Sequence, residues 1–184
     1  LGLFDGLGSY RRDGAAVIRE FEQAGRVYRE PAVLVLDYTV VRVFEDGSSL
    51  ELTHNITRVQ SQEAVDEQGE FRLPEDAELL TLRTIKADGR RVEPDEIAGK
   101  ETVSLPNLAP GDYGEAEHVR SHEPARGFPG GYVGERFYFQ SYETPFHLSQ
   151  YVVLLPTSWN VYIDPRGPMT EAEDRRESSE QVDS

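Results

Sequence analysis

The chain has 184 residues, with 19 basic and 34 acidic side chains and a formal net charge of −15 at pH 7. That length suits one hydrophobic core with tails, and the charge repels a phosphate backbone, which argues against nucleic acid as a partner. Cysteine is absent, which excludes disulfides, thiolate metal sites and a cysteine nucleophile from this stretch.

An N-terminal segment, 1–31, begins at Leu1 without the basic start and long apolar stretch of a signal peptide, so it reads as the start of an excised piece. Within it, Asp13 to Ala24 predicts a short helix. Asp13 can cap it, Val17, Ile18 and Phe21 form one apolar stripe, and Gly25 offers a left-handed stop. From Ala32 onward the period changes to two and turn residues recur at short intervals, the pattern of antiparallel strands.

Val33 to Phe44 and Ser48 to Val59 flank Asp46-Gly47, which predicts a hairpin. With Asp46 and Gly47 as the loop, Val43 faces Leu50, Val41 faces Leu52, Thr39 faces His54 and Asp37 faces Ile56. Leu50, Leu52, His54 and Ile56 then share a buried face, with His54 bonded to a neighbour such as Thr39. Leu79 to Lys86, Asp88-Gly89 and Arg90 to Glu93 repeat the device. Pro94 to Gly99 frames one helical turn, and Thr102 to Leu105 is extended.

Further strands are expected at Tyr113 to Arg120, Glu135 to Tyr142 and Phe146 to Leu155, and Trp159, Val161 and Ile163 suggest a last one. The apolar runs, of which Tyr151 to Leu155 is typical, are too short to span a bilayer, so no transmembrane segment is expected. The fold class is therefore all-β, a mostly antiparallel β-sandwich-like domain over 32–168. Residues 169–184 read as an acidic linker or disordered tail, since 170–184 holds six acids and two arginines.

The chemistry is sparse. No G-x-S-x-G, H-E-x-x-H, phosphate-binding or calcium-loop motif occurs. The four histidines are scattered; His118 and His122, with Glu115, Glu117 and Glu123, form the sole metal-like grouping, and an acidic solvated strand explains them better. No catalytic residue, metal or cofactor is assigned.

The densest feature is aromatic: Tyr132, Phe137, Tyr138, Phe139, Tyr142, Phe146 and Tyr151 lie within twenty residues, beside the glycine-rich turn Gly127 to Gly134. Strand alternation puts Phe137 and Phe139 in the core and Tyr138 and Tyr142 outside. A ligand face, if the chain has one, is expected at Tyr132, Tyr138, Tyr142, Gly130 and Gly131, for a peptide or glycan.

Several segments recur in a recognisable order: Val35 to Val43 leading into Asp46-Gly47, Thr84-Ile85-Lys86-Ala87-Asp88-Gly89, Leu105-Pro106-Asn107-Leu108-Ala109-Pro110-Gly111-Asp112, Phe137-Tyr138-Phe139-Gln140 with Pro145, and Tyr151 to Pro156. Over about residues 32 to 163 the chain resembles the bacterial domain-of-unknown-function family 3857. The resemblance implies a β-sandwich-like module standing before a transglutaminase-like, papain-type domain, often in periplasmic or cell-envelope proteins. It implies a noncatalytic accessory role, positioning or selecting the neighbour's substrate, with the reactive cysteine in that neighbour. Where the family shows an alternating acidic and aromatic strand, this chain has Gly114-Glu115-Ala116-Glu117-His118, smaller and more polar, which predicts a less buried strand. The other functions weighed are an independent carbohydrate- or peptide-binding module, and assembly through an open sheet edge such as Tyr113 to Arg120.

Overall fold

A computed structural model of the chain describes residues 6–95 and 102–160. Its elements in chain order are helix α1 (Gly14–Ala24), strands β1 (Ala32–Val43) and β2 (Ser49–Val59), helix α2 (Gln62–Gln68), then β3 (Glu70–Arg72), β4 (Ala77–Ile85), β5 (Arg91–Val92), β6 (Thr102–Ser104), β7 (Tyr113–His122) and β8 (Phe146–Leu154). Six strands form one sheet in the order β5-β4-β7-β2-β1-β8, while β3 and β6 pair as a separate small sheet. The fold is thus mostly β.

Helix α1 starts where the sequence places it. The Asp13 side chain accepts from the Ala15 N–H at 3.0 Å, and Gly25 ends the helix at φ 63°. Its stripe of Val17, Ile18 and Phe21 packs on the sheet with Val33, Leu36, Tyr38, Leu52 and Ile56. Each fully buried side chain of this kind contributes roughly 1.5–3 kcal/mol. Helix α2 has no counterpart in the sequence reading; Ser61 caps it through the Ala64 N–H, and Ala64 is buried against Val59.

Both hairpins form, but with a three-residue loop rather than a two-residue one. In the first, the Phe44 N–H donates to Ser48 O, the Gly47 N–H donates to Phe44 O, and Gly47 is left-handed at φ 86°. That is a type I turn closed by a glycine bulge. The extra loop residue moves the register by one, so Tyr38 faces His54, Val40 faces Leu52 and Leu36 faces Ile56. The expected pairs Thr39 with His54 and Val41 with Leu52 are therefore incorrect. Leu52, His54 and Ile56 are buried on one face as expected, but it is the other face of β1 that joins them.

Three more expectations are corrected. β8 runs parallel to β1, making the sheet mixed, while its other pairings are antiparallel as expected. Strand β7 already has β2 on one side and β4 on the other, so the chain crosses through 123–145 and enters beside β1 instead. Tyr113 to Arg120 is accordingly an interior strand, not an open edge. It is also well buried, with Tyr113, Glu115, Glu117 and Val119 all at 2% exposure or less.

Glu135 to Tyr142 forms no strand. Trp159 lies in a turn, its N–H donating to Pro156 O; Val161 and Ile163, part of the Pro94 to Gly99 turn and the acidic tail fall outside the described residues. No helix among the described residues is long and apolar enough to cross a membrane.

Candidate functional site: an aromatic surface beside the edge strand

Two left-handed glycines, Gly127 at φ 84° and Gly130 at φ 70°, fold the turn that leads into the aromatic run. Gly131 is buried against the first hairpin: a Cβ on Gly47 would stand 2.4 Å from Gly131 O. This contact seats the turn on the β1–β2 loop, and it tolerates no side chain.

From there the chain is pinned to the sheet at three places. Tyr132 is half-buried and hydrogen-bonded to Tyr151 of β8. Burial raises both phenols above their ordinary value, and the nearby Glu51 and Glu135 carboxylates push the same way. Glu135 reaches Arg120 of β7 at 2.9 Å, and Arg120 also contacts Glu51 at 3.4 Å. Phe137 stacks on Tyr151 at 4.9 Å between centroids and meets the Phe139 edge at 4.8 Å.

The pins leave several aromatic side chains outside. Tyr138 is 66% exposed and Tyr142 fully so, while Phe128, Val133 and Phe139 are also exposed. Tyr138 and Tyr142 thus lie outside, as the sequence suggests, but Tyr132 does not share their exposure. Phe139, expected in the core, is 44% exposed because the segment lies beyond the sheet instead of within it. Gly130 and Gly131 shape the backbone and present no side chain of their own.

A second cluster lies under α1, unrecognised from sequence as a unit. The Glu115 carboxylate accepts from His54 Nε2 at 2.9 Å and from Arg83 Nε at 2.5 Å, and Glu117 accepts from Arg11 Nε at 2.9 Å. The alternation Glu115, Glu117, Val119 was the available signal, since acids alternating on a buried face must each find a partner. Burial pushes Glu115 up, but hydrogen bonds from His54 and Arg83 outweigh it and leave the carboxyl below its ordinary value. Both acid side chains are 3% exposed or less, while Arg11 is 40% exposed, so the carboxylates are paired inside the fold.

His118 faces the other side of the sheet, its ring 6.0 Å from Phe71. Burial, then Arg120, push its pKa down to about 4. Glu115 and Glu117 point the opposite way, which separates two acids of the metal-like grouping from His118. No grouping of three metal-ligating side chains occurs among the described residues.

Two of the motif segments are tied to each other by Asp112. Asp112 of the Pro-Gly-Asp turn pairs with Lys86 and accepts from the Ala87 N–H at 3.1 Å and the Ala109 N–H at 2.9 Å. It staples its own loop to the second hairpin, joining two of the sequence segments quoted above.

No family model and no curated protein matches the chain. Among solved structures it is similar to a "putative protease" from Parabacteroides distasonis ATCC 8503, with 15% identity and a TM-score of 0.43; the match covers 52% of this chain and spans 24% of that one.

Proposed function

We propose that the chain is a noncatalytic accessory module, β-sandwich-like in class, of a larger bacterial protein. It positions or selects the substrate of an adjacent transglutaminase-like domain. The resemblance to family 3857 supplies the neighbour, and with it an envelope or periplasmic address. The observation that carries the reading is the division of side chains: the ionisable cluster is buried and mutually paired, while the aromatics stand outside on an anchored backbone. Large exposed aromatics held by a fixed scaffold suit recognition. Sealed ion pairs do not suit turnover.

Incubating the purified chain with peptide and glycan libraries tests this. Binding without cleavage is the expected result, and hydrolysis by the chain alone contradicts the proposal. The exposure of Tyr138 and Tyr142 also favours a second reading, an independent glycan- or peptide-binding module that stacks ligands on those rings. Under it, Tyr138→Ala with Tyr142→Ala abolishes glycan binding with no neighbouring domain present. Under the first reading, those substitutions also lower turnover by the adjacent domain in the longer polypeptide.

A further inference from the structure

A cleft of about 140 Å³ opens between the main sheet and the small β3–β6 sheet. Its floor is made by β7, where Gly114 faces Thr57 and Ala116 faces Asn55 on one side and Leu82 on the other. Both of these central positions carry almost no side chain. Leu105 closes over Gly114 so tightly that a Cβ there would stand 2.7 Å from Leu105 Cδ1. Beside these small residues, Glu115 and Glu117 carry their carboxylates to the opposite face, toward α1.

The walls have a definite chemistry. Phe71, Leu82, Leu105 and Leu108 are apolar; Asn55, Thr57, Gln68 and Glu70 are polar; none of the lining residues is Lys, Arg or His. Asn55 Oδ1 is buried without a hydrogen-bond partner. A buried acceptor left unmatched costs free energy that a donor would recover. Glu70 lines the cleft and is exposed, which puts an acidic residue at its rim. Water would satisfy Asn55 but leave the apolar walls wet, whereas an aliphatic stem removes that surface from water.

We propose that this cleft is a binding site for a primary alkylammonium group. The stem packs on Phe71, Leu82 and Leu105, and the N–H donors meet Asn55 Oδ1 and Glu70. The site is independent of the aromatic surface and of whether a neighbouring domain docks there.

Titration of the 15N-labelled chain with n-butylammonium, butyrate and n-butanol at matched ionic strength tests it. Butylammonium should give saturable amide shifts at Asn55, Phe71, Leu105 and Ala116, at an affinity about tenfold or more above butyrate and butanol. Ala116→Leu fills the floor and should abolish those shifts. Asn55→Ala removes the acceptor and should weaken binding about tenfold, with dispersed spectra confirming the fold. Absence of saturable shifts, or equal affinity for the three compounds, overturns the proposal. Should Ala116→Leu not fold, unchanged butylammonium affinity in Asn55→Ala overturns it as well.

Discussion

Gly14 sits directly over Glu115: a Cβ at position 14 would stand 2.0 Å from Glu115 Oε1 and 2.7 Å from its Cδ. Gly14 is the first residue of α1, so the carboxylate lies beneath the positive end of the helix dipole. The helix terminus, His54 and Arg83 thus share one buried charge. Gly14→Ala, stabilising in most helices, should here cost roughly 1–3 kcal/mol through overpacking. Urea unfolding of the two proteins measures it, and an unchanged or raised midpoint contradicts the packing described.

The Glu115–Arg83 pair leads to a coupled prediction. Glu115→Met leaves the Arg83 guanidinium, 17% exposed, without its partner, at a cost of roughly 3–5 kcal/mol. Replacing both residues by methionine should recover more than half of that loss, because no charge is then stranded. A double-mutant cycle in urea reads the coupling, and strictly additive losses would show that the two side chains act separately.

His118 makes stability depend on pH. Its folded pKa is pushed down to about 4, whereas the unfolded imidazole titrates near 6.5. Between those values the unfolded chain binds the extra proton, so stability rises with pH and falls as the solution is acidified from about 6.5 toward 4. The loss amounts to roughly 3 kcal/mol. His118→Gln should flatten most of that slope in denaturation midpoints taken at intervals across the window. A slope identical to the parent's would assign the effect to other groups.

Gly47 and Gly89 occupy the same left-handed turn position, both at φ 86°, but only Gly47 has a neighbour, Gly131 O, in the way of a Cβ. Alanine at either position takes on the conformational cost of roughly 1–2 kcal/mol. Gly47→Ala should cost clearly more, since it also displaces the glycine-rich turn. Comparing the two variants isolates the docking of that turn, and equal losses would mean that it contributes nothing.

Much of this architecture is legible in the sequence, for local reasons. Asp13, Gly25 and the two Asp-Gly pairs act on their immediate neighbours, so α1 and both hairpins can be read from them. The register could not, because a two-residue turn and a type I turn with a glycine bulge use the same dipeptide, and only the closing bond from Phe44 to Ser48 separates them.

The aromatic run misleads for a different reason. Tyr132 and Phe137 bury themselves on Tyr151 from a loop, which leaves a pattern much like that of a strand. The parallel pairing of β8 with β1 depends on β7 already being flanked, a long-range fact that no local pattern carries. His54 with Glu115 and the hollow over Gly114 and Ala116 likewise exist only once β2, β4 and β7 stand side by side.

If the exposed aromatics serve recognition while the chain itself performs no chemistry, as proposed, kinetics separate the two contributions. The direct measurement is catalytic turnover of the longer polypeptide with Tyr138→Ser and Tyr142→Ser, set beside the isolated chain on the same substrates. Both tyrosines are exposed, so the thermal midpoint should stay put, the effect of surface changes being within about 0.5 kcal/mol. A raised KM or lowered kcat/KM is expected for the double variant, with no turnover by the isolated chain. Unaltered kinetics in the double variant, or turnover by the isolated chain, would contradict it.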